Sequence, residues 1–121
     1  MGQRFGGDGQ KIGAHVELVR KSQWQNSPHV AHDSTNNRYL VVWMDMRDAA
    51  TEGNNIYAQR VKAGGATLGA NYLVSGVPTT AQESHPDVAF GSGGGLHLIV
   101  WADSRQSGTR GSDIYGRLTT D

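Results

Sequence analysis

One segment of this chain occurs twice, and the two copies lie 58 positions apart. Residues 39–47 read YLVVWMDMR, and residues 97–105 read HLIVWADSR. The identical pairs at this offset include Pro28/Pro86, Val30/Val88, Ala31/Ala89, Trp43/Trp101, Asp45/Asp103, Arg47/Arg105, Ile56/Ile114 and Tyr57/Tyr115. Because chance is a poor explanation of so constant an offset, we expect two copies of one structural unit.

A third, partial copy opens the chain. Residues 2–19 align with residues 58–75 at an offset of 56. The identical pairs are Gln3/Gln59, Arg4/Arg60, Gly9/Gly65, Gly13/Gly69 and Ala14/Ala70. The first 19 residues are therefore expected to hold the end of a third strand and the whole of a fourth.

Each full repeat predicts four short strands, which fall at 28–32, 38–45, 55–61 and about 67–74 in the first copy. These runs are rich in β-branched or aromatic residues and are bounded by Gly, Asn, Asp or Ser. No stretch shows helical periodicity with capping residues. Four antiparallel strands in one repeat are typical of a β-propeller blade, so the predicted fold is all-β with two four-stranded blades per chain.

The order of these pieces predicts a permuted propeller. Within a single domain over 1–121, segment 1–19 gives a strand that completes a neighbouring blade, 28–75 is a full blade, and 86–118 gives three strands of a second blade. Two blades are too few for a ring, since propellers typically have four to eight. We expect the chain to partner itself in a cyclic, head-to-tail homo-oligomer, with a six-bladed trimer favoured and a four-bladed dimer next. A piece of a longer repeat protein is the alternative.

The combination Pro-x-Val-Ala, Tyr-Leu-Val-Val-Trp-x-Asp-x-Arg and Asp-Ile-Tyr-x-x-Arg resembles a blade repeat of large bacterial secreted and surface β-propeller proteins. The first copy carries it at Pro28, Val30, Ala31, Tyr39 to Trp43, Asp45, Arg47, Ile56, Tyr57 and Arg60. The resemblance implies a propeller scaffold and little about activity. The chain departs from the pattern at Asn55, which stands where Asp is usual, at His97, which replaces Tyr, and after Tyr115, where the expected Gln-Arg is absent.

Composition excludes several classes of function. Eleven basic residues balance eleven acidic ones, without the basic excess or stripe that nucleic-acid binding requires. No apolar run is long enough to cross a membrane as a helix. Residues 1–13 lack the apolar core of a signal peptide, so the chain as expressed would stay in the cytoplasm, although its native compartment is not indicated. Without cysteine there are no disulfides or thiolate metal sites, and no cofactor is predicted.

Two Asp-x-Arg units are the first candidate binding residues. Asp45 and Arg47, and in the second copy Asp103 and Arg105, stand at the end of the predicted second strand. This end belongs to the propeller face that commonly holds a binding site, and a ring of such pairs suits an anionic or sugar ligand. The favoured interpretation is nevertheless structural, a repeated salt bridge that ties the loop to its blade.

The remaining candidates are an aromatic residue and three polar ones. Trp24 lies in a polar loop, WQNSPH, where it suits stacking on a sugar or contact with a neighbouring subunit. His29 and His85 are expected to approach each other at the ring centre, and Asp87 is the acidic residue expected in the central channel. No metal site is predicted, because alternation along a strand sends His29 and His32 to opposite faces.

The leading functional hypothesis is a ligand-binding or interaction scaffold, with its site on the ring face or in the central channel. A carbohydrate, a small polar molecule or a protein partner would suit such a site. One alternative is a glycan-acting hydrolase in which Asp87 and its symmetry copies supply paired carboxylates. The other is a purely structural assembly module. Catalysis is less favoured, since no G-x-S-x-G, H-E-x-x-H or P-loop pattern occurs.

Overall fold

Antiparallel strands account for more than half of the chain. The computed structural model describes residues 1–76 and 80–120. The strands in these ranges are β1 (Gly2–Phe5), β2 (Lys11–Val16), β3 (Gln25–Asp33), β4 (Arg38–Asp45), β5 (Asn55–Lys62), β6 (Thr67–Leu73), β7 (Glu83–Gly91), β8 (Leu96–Asp103) and β9 (Asp113–Thr119). Two single-turn helices, α1 (Ala49–Glu52) and α2 (Ser107–Arg110), follow β4 and β8. The predicted all-β class is confirmed.

The strands form three sheets. β1 and β2 pair as an antiparallel hairpin, β3 to β6 form a four-stranded central sheet, and β7 to β9 form a three-stranded C-terminal sheet. Both larger sheets keep their strands in chain order. They also share one register: Val30 pairs with Val41 in the central sheet, and Val88 pairs with Ile99 in the C-terminal sheet.

Two local predictions were wrong. β3 begins at Gln25 and not at Pro28, because the polar residues before the proline join the ladder through a shift of register between Asn26 and His29. The helices α1 and α2 were missed, since four residues make one turn and cannot show a helical period.

The core lies between the central and C-terminal sheets. Its buried side chains are Ala31, Leu40, Val42, Ile56, Ala58 and Val74 from the central sheet region, and Val88, Ile99 and Trp101 from the C-terminal sheet. Burial of each large aliphatic side chain contributes roughly 1.5–3 kcal/mol, so this one layer holds the two sheets together. Trp43 and Trp101 are both buried, and they stack on Tyr57 and Tyr115 with ring centroids 6.4 Å apart.

The segment before β5 and the segment before β7 approach each other closely. Gly53 has a φ of 74°, and a Cβ placed on it would stand 2.4 Å from the carbonyl oxygen of Ala81. Its copy, Gly111, has a φ of 80° but has open space where a Cβ would stand. The same glycine conformation therefore admits a neighbouring chain segment at the first position and faces solvent at the second.

The hairpin β1–β2 repeats the last hairpin of the central sheet. The Gln59 side-chain amide donates to the carbonyl of Gly69 at 3.1 Å, and the Gln3 amide donates to the carbonyl of Gly13 at 3.3 Å. Both glycines have positive φ, 70° and 68°. β1 and β2 are therefore copies of the end of β5 and of β6 in geometry as well as in sequence. No helix within the two described ranges is long and apolar enough to span a membrane.

Candidate functional site

The first Asp-x-Arg unit is a closed ion pair at the end of β4. Arg47 reaches back to Asp45 with distances of 2.6 Å from Nη2 to Oδ2 and 2.9 Å from Nε to Oδ1. The Trp43 indole N–H donates to the same carboxylate at 2.8 Å. The guanidinium lies 3.8 Å above the ring of Tyr57, a cation–π arrangement, and its Nη1 donates to the amide oxygen of Asn71 at 3.0 Å.

The second unit repeats this cluster at the end of β8. Arg105 binds Asp103 through Nε at 2.9 Å and lies 4.1 Å above the ring of Tyr115. The Trp101 indole N–H again donates to the carboxylate, at 3.4 Å. In the described part of the chain the C-terminal sheet has three strands, and the bond that Arg47 makes to Asn71 in β6 has no copy at Arg105 there.

The hydrogen bonds keep both aspartates ionised. Burial alone would raise the pKa of the Asp45 carboxyl, but the bonds from Arg47 and Trp43 outweigh it and hold the pKa below its usual value. The pKa of Asp103 is lowered in the same way, with burial opposed by Arg105. Each carboxylate is therefore committed to its own loop, as the structural interpretation of these pairs expects.

Trp24 is the most exposed of the three tryptophans, with 74% of its surface accessible. It precedes β3 directly, and its carbonyl accepts a hydrogen bond of 2.9 Å from the backbone N–H of Met46. This bond ties the backbone of Trp24 to the loop that carries Arg47. An exposed indole can stack on the apolar face of a sugar ring.

His29 lies beside Asp87 on the C-terminal sheet. The His29 Nδ1 stands 3.1 Å from the Asp87 Oδ1, and the two side chains are 49% and 66% exposed. His85 contacts the hydroxyl of its neighbour Ser84 at 2.9 Å. Positions 29 and 87 are equivalent in the two repeats. His29 therefore contacts the residue at its own position in the next repeat.

A strained backbone precedes this pair in both sheets. Ser27 and His85, which are equivalent, both have a φ of 50°, a left-handed conformation that residues with a Cβ seldom adopt. Each lies within a shift of register, between Asn26 and His29 in one sheet and between Ser84 and Asp87 in the other. The shift turns the strand so that positions 29 and 87 face each other.

Sequence reasoning missed a buried carboxylate at the start of β7. Glu83 is fully buried, and its Oε2 accepts a hydrogen bond of 3.1 Å from the backbone N–H of Ile56 in the central sheet. Its Oε1 stands 3.9 Å from the Nη2 of Arg105. Burial raises the pKa of this carboxyl. The corresponding residue of the first copy is Gln25. This difference between the repeats is the feature of the sequence that could have pointed to Glu83.

A second missed group is the imidazole of His97. It is 1% exposed, and neither ring nitrogen has a hydrogen-bond partner within the described residues. The ring packs against Phe90 with centroids 5.0 Å apart, and burial lowers the pKa of His97. This side chain occupies the position of Tyr39 in the first repeat, and its burial beside Phe90 makes it a core residue.

An open apolar face covers the outer side of the C-terminal sheet. Leu98 is 44% exposed and Ile114 is 75% exposed, whereas their copies Leu40 and Ile56 are buried at 1% and 0%. A shallow depression on this face is lined by Ala89, Phe90, Gly91, Gly94, Leu96, Leu98 and Leu118. Exposed apolar patches of this kind mark interaction sites on proteins.

A cleft of about 660 Å³ lies at the opposite end, between the hairpin and the central sheet. Its apolar floor comes from one face of the central sheet, at Val30, Tyr39, Val41 and Trp43, and Leu18 and Gln25 lie on its rim. Val30 is 62% exposed here, whereas its copy Val88 is 9% exposed in the core. The cleft and the open face are thus copies of the two surfaces that meet inside the chain.

The described residues thus form two apolar surfaces and two loops that are anchored by ion pairs. Asp87 contacts a histidine and not a second carboxylate, and among residues 1–76 and 80–120 no three His, Asp or Glu side chains are placed to hold a metal ion. No family model, curated protein or solved structure matches the chain.

Proposed function

We propose that this chain is an interaction scaffold of the β-propeller type, whose sheets stack around an axis and whose ring is completed by further copies of the chain. One observation carries the proposal. Leu98, Ile114 and Leu118 form an exposed apolar face on the C-terminal sheet. In the central sheet the residues equivalent to Leu98 and Ile114 are buried. An exposed apolar face of this size is unfavourable for a small protein in water. We therefore expect a partner molecule to cover it.

Repetition of the internal interface supports ring closure. The central and C-terminal sheets meet through different faces, so the contact between them is of the head-to-tail type. A head-to-tail contact repeated between copies closes into a ring where the rotation fits. The His29–Asp87 contact supports the same arrangement, because it sets equivalent positions of successive sheets against each other.

Light scattering on the purified chain tests the scaffold. At concentrations from about 1 µM to 1 mM, the range of ordinary protein association, the mass should rise above the 13.0 kDa of one chain to an integral multiple. Three chains would give six blades and two chains four. A mass of 13.0 kDa at every concentration would remove the self-assembled scaffold.

A carbohydrate or other small polar ligand at the loop face is a second proposed function, and the exposure of Trp24 favours it. The backbone of Trp24 is bonded to the loop that carries Arg47, and aromatic faces with adjacent polar groups suit sugar recognition. Titration with oligosaccharides should shift the fluorescence of Trp24, whereas the buried Trp43 and Trp101 should respond little. The W24F variant should lose this signal, and an unchanged response in W24F would assign it to another residue.

The geometry gives the hydrolase alternative less support. Glycoside hydrolysis uses two carboxyl groups on either side of the scissile bond. Asp87 is paired with His29, and Asp45 and Asp103 are held by arginines within their own loops. A turnover assay with glycan substrates, in which D87N is the comparison, decides between binding and hydrolysis.

A further inference from the structure

We infer that the open face of the C-terminal sheet docks into the cleft of a second copy, with Ile114 as its central contact. The inference rests on the proposed scaffold and specifies which surfaces meet and which backbone groups they satisfy. The occupant of the cleft is a second copy because the chain already contains both halves of this interface.

The apolar surfaces correspond residue by residue. Inside one chain, the core joins Leu40, Val42 and Ile56 to Val88, Ile99 and Trp101. The equivalent positions between copies are Leu98, Val100 and Ile114 on the open face, against Val30, Val41 and Trp43 in the cleft. The positions that would meet between two copies are therefore equivalent to those that already pack together inside one chain.

The backbone of Ile56 shows what Ile114 lacks. The Ile56 N–H donates to the Glu83 carboxylate at 3.1 Å, and the Ile56 carbonyl accepts from the N–H of Val74 at 2.7 Å. Ile114 stands on the open edge of β9, where neither partner has a counterpart among residues 1–76 and 80–120. Buried backbone groups of this kind are paired in nearly all proteins, so docking has to supply partners.

The cleft offers those partners at the required positions. Gln25 is the copy of Glu83, and its side-chain oxygen accepts the Ile114 N–H. Leu18 is the copy of Val74 at the offset of 56, and its N–H donates to the Ile114 carbonyl. Both residues line the cleft. His15, the copy of Asn71, receives the Nη1 of Arg105 as Asn71 receives that of Arg47.

One strand changes place when the copies join. β1 pairs with β2 at Gly2, Arg4 and Phe5. These three residues and residues 116, 118 and 119 of β9 are all copies of the same stretch of β5. The arriving β9 therefore takes the edge of β2 that β1 occupies in the single chain.

A complementation experiment with two variants tests this interface. I114D places a charge on the open face and leaves the cleft intact, and V30D does the converse. Both side chains are exposed in the single chain, so neither variant buries a charge in its own fold, and circular dichroism should match that of the wild type. Each variant alone should weaken self-association at least about 100-fold, because docking would bury an unpaired carboxylate.

The equimolar mixture gives the deciding result. One intact face and one intact cleft remain, so the mixture should form a 1:1 dimer of twice 13.0 kDa that grows no further. T109D adds the same charge at an exposed position outside both surfaces and should assemble as the wild type does. If the wild type assembles but the mixture stays monomeric, this interface is wrong while the scaffold stands. If the wild type itself is monomeric, the proposed self-assembled scaffold is wrong, and the interface is wrong with it.

Discussion

The imidazole of His29 lies 3.1 Å from the carboxylate of Asp87, and these residues are the same position of two successive repeats. A contact between equivalent positions means that the two first strands approach each other side by side, at matching heights. The register shift and the positive φ that precede the pair are duplicated as well, at Ser27 and His85. The geometry that places this pair is therefore a property of the repeat.

The His29–Asp87 pair itself should add little to stability. Both side chains are half exposed, and ion pairs or hydrogen bonds at such positions contribute about 1 kcal/mol or less. A double-mutant cycle of H29Q and D87N, followed by urea unfolding, should give a coupling free energy below about 1 kcal/mol. A coupling above about 2 kcal/mol would show that the pair holds the sheets together.

Replacement of Gly53 should be far more costly than replacement of its copy. G53A would force a methyl group to 2.4 Å from the Ala81 carbonyl oxygen in addition to the strain of a positive φ, so we expect a loss of at least about 3 kcal/mol. G111A carries a similar φ with open space around it and should cost about 1–2 kcal/mol.

Chemical denaturation of both alanine variants in the I114D background keeps association out of the comparison. Equal losses of unfolding free energy in G53A and G111A would contradict the close approach of Gly53 to the Ala81 carbonyl oxygen.

E83Q should stabilise the chain at neutral pH. Burial raises the pKa of Glu83 in the folded state, so this group favours folding less as the pH rises from 4.5 through the raised pKa. Glutamine, which the first repeat carries at position 25, keeps an oxygen to accept the Ile56 N–H and has no charge to bury. The gain in unfolding free energy should be about 0.5–2 kcal/mol at pH 8 and smaller at pH 4. A gain that is the same at both values would contradict the assigned cause.

His97 should make the chain sensitive to mild acid. Burial lowers the pKa of His97 in the folded state, so its contribution to stability is present above pH 6.5 and is lost as the pH falls through the lowered value. Urea unfolding at pH 7.5 and 5.5 should show a smaller pH dependence in H97Q than in the wild type. H32Q changes an exposed histidine and is the matched control. An undiminished pH dependence in H97Q would place the sensitivity elsewhere.

Sequence alone predicted the strands and the ion pairs well, because both depend on short-range patterns. The alternation around Val41 and Trp43 places them on one face, and the D-x-R spacing lets Arg47 turn back on Asp45. The contact of His29 could not be predicted, since it depends on a shift of register that no residue pattern announced. Glu83 and His97 were missed for another reason: burial gives them their properties, and burial is decided by how the sheets stack.

The duplicated strand has a consequence for timing. The edge of β2 that faces β1 is already hydrogen-bonded, and Gln3 secures the turn of that hairpin by its bond to Gly13. The β9 strand of a second copy cannot pair with this edge until β1 has separated from β2. The association rate would therefore be limited by local opening of the hairpin and not by the frequency of collisions. Newly made chains would thus assemble after a delay, during which this edge of β2 is covered by residues 2–5 of the same chain.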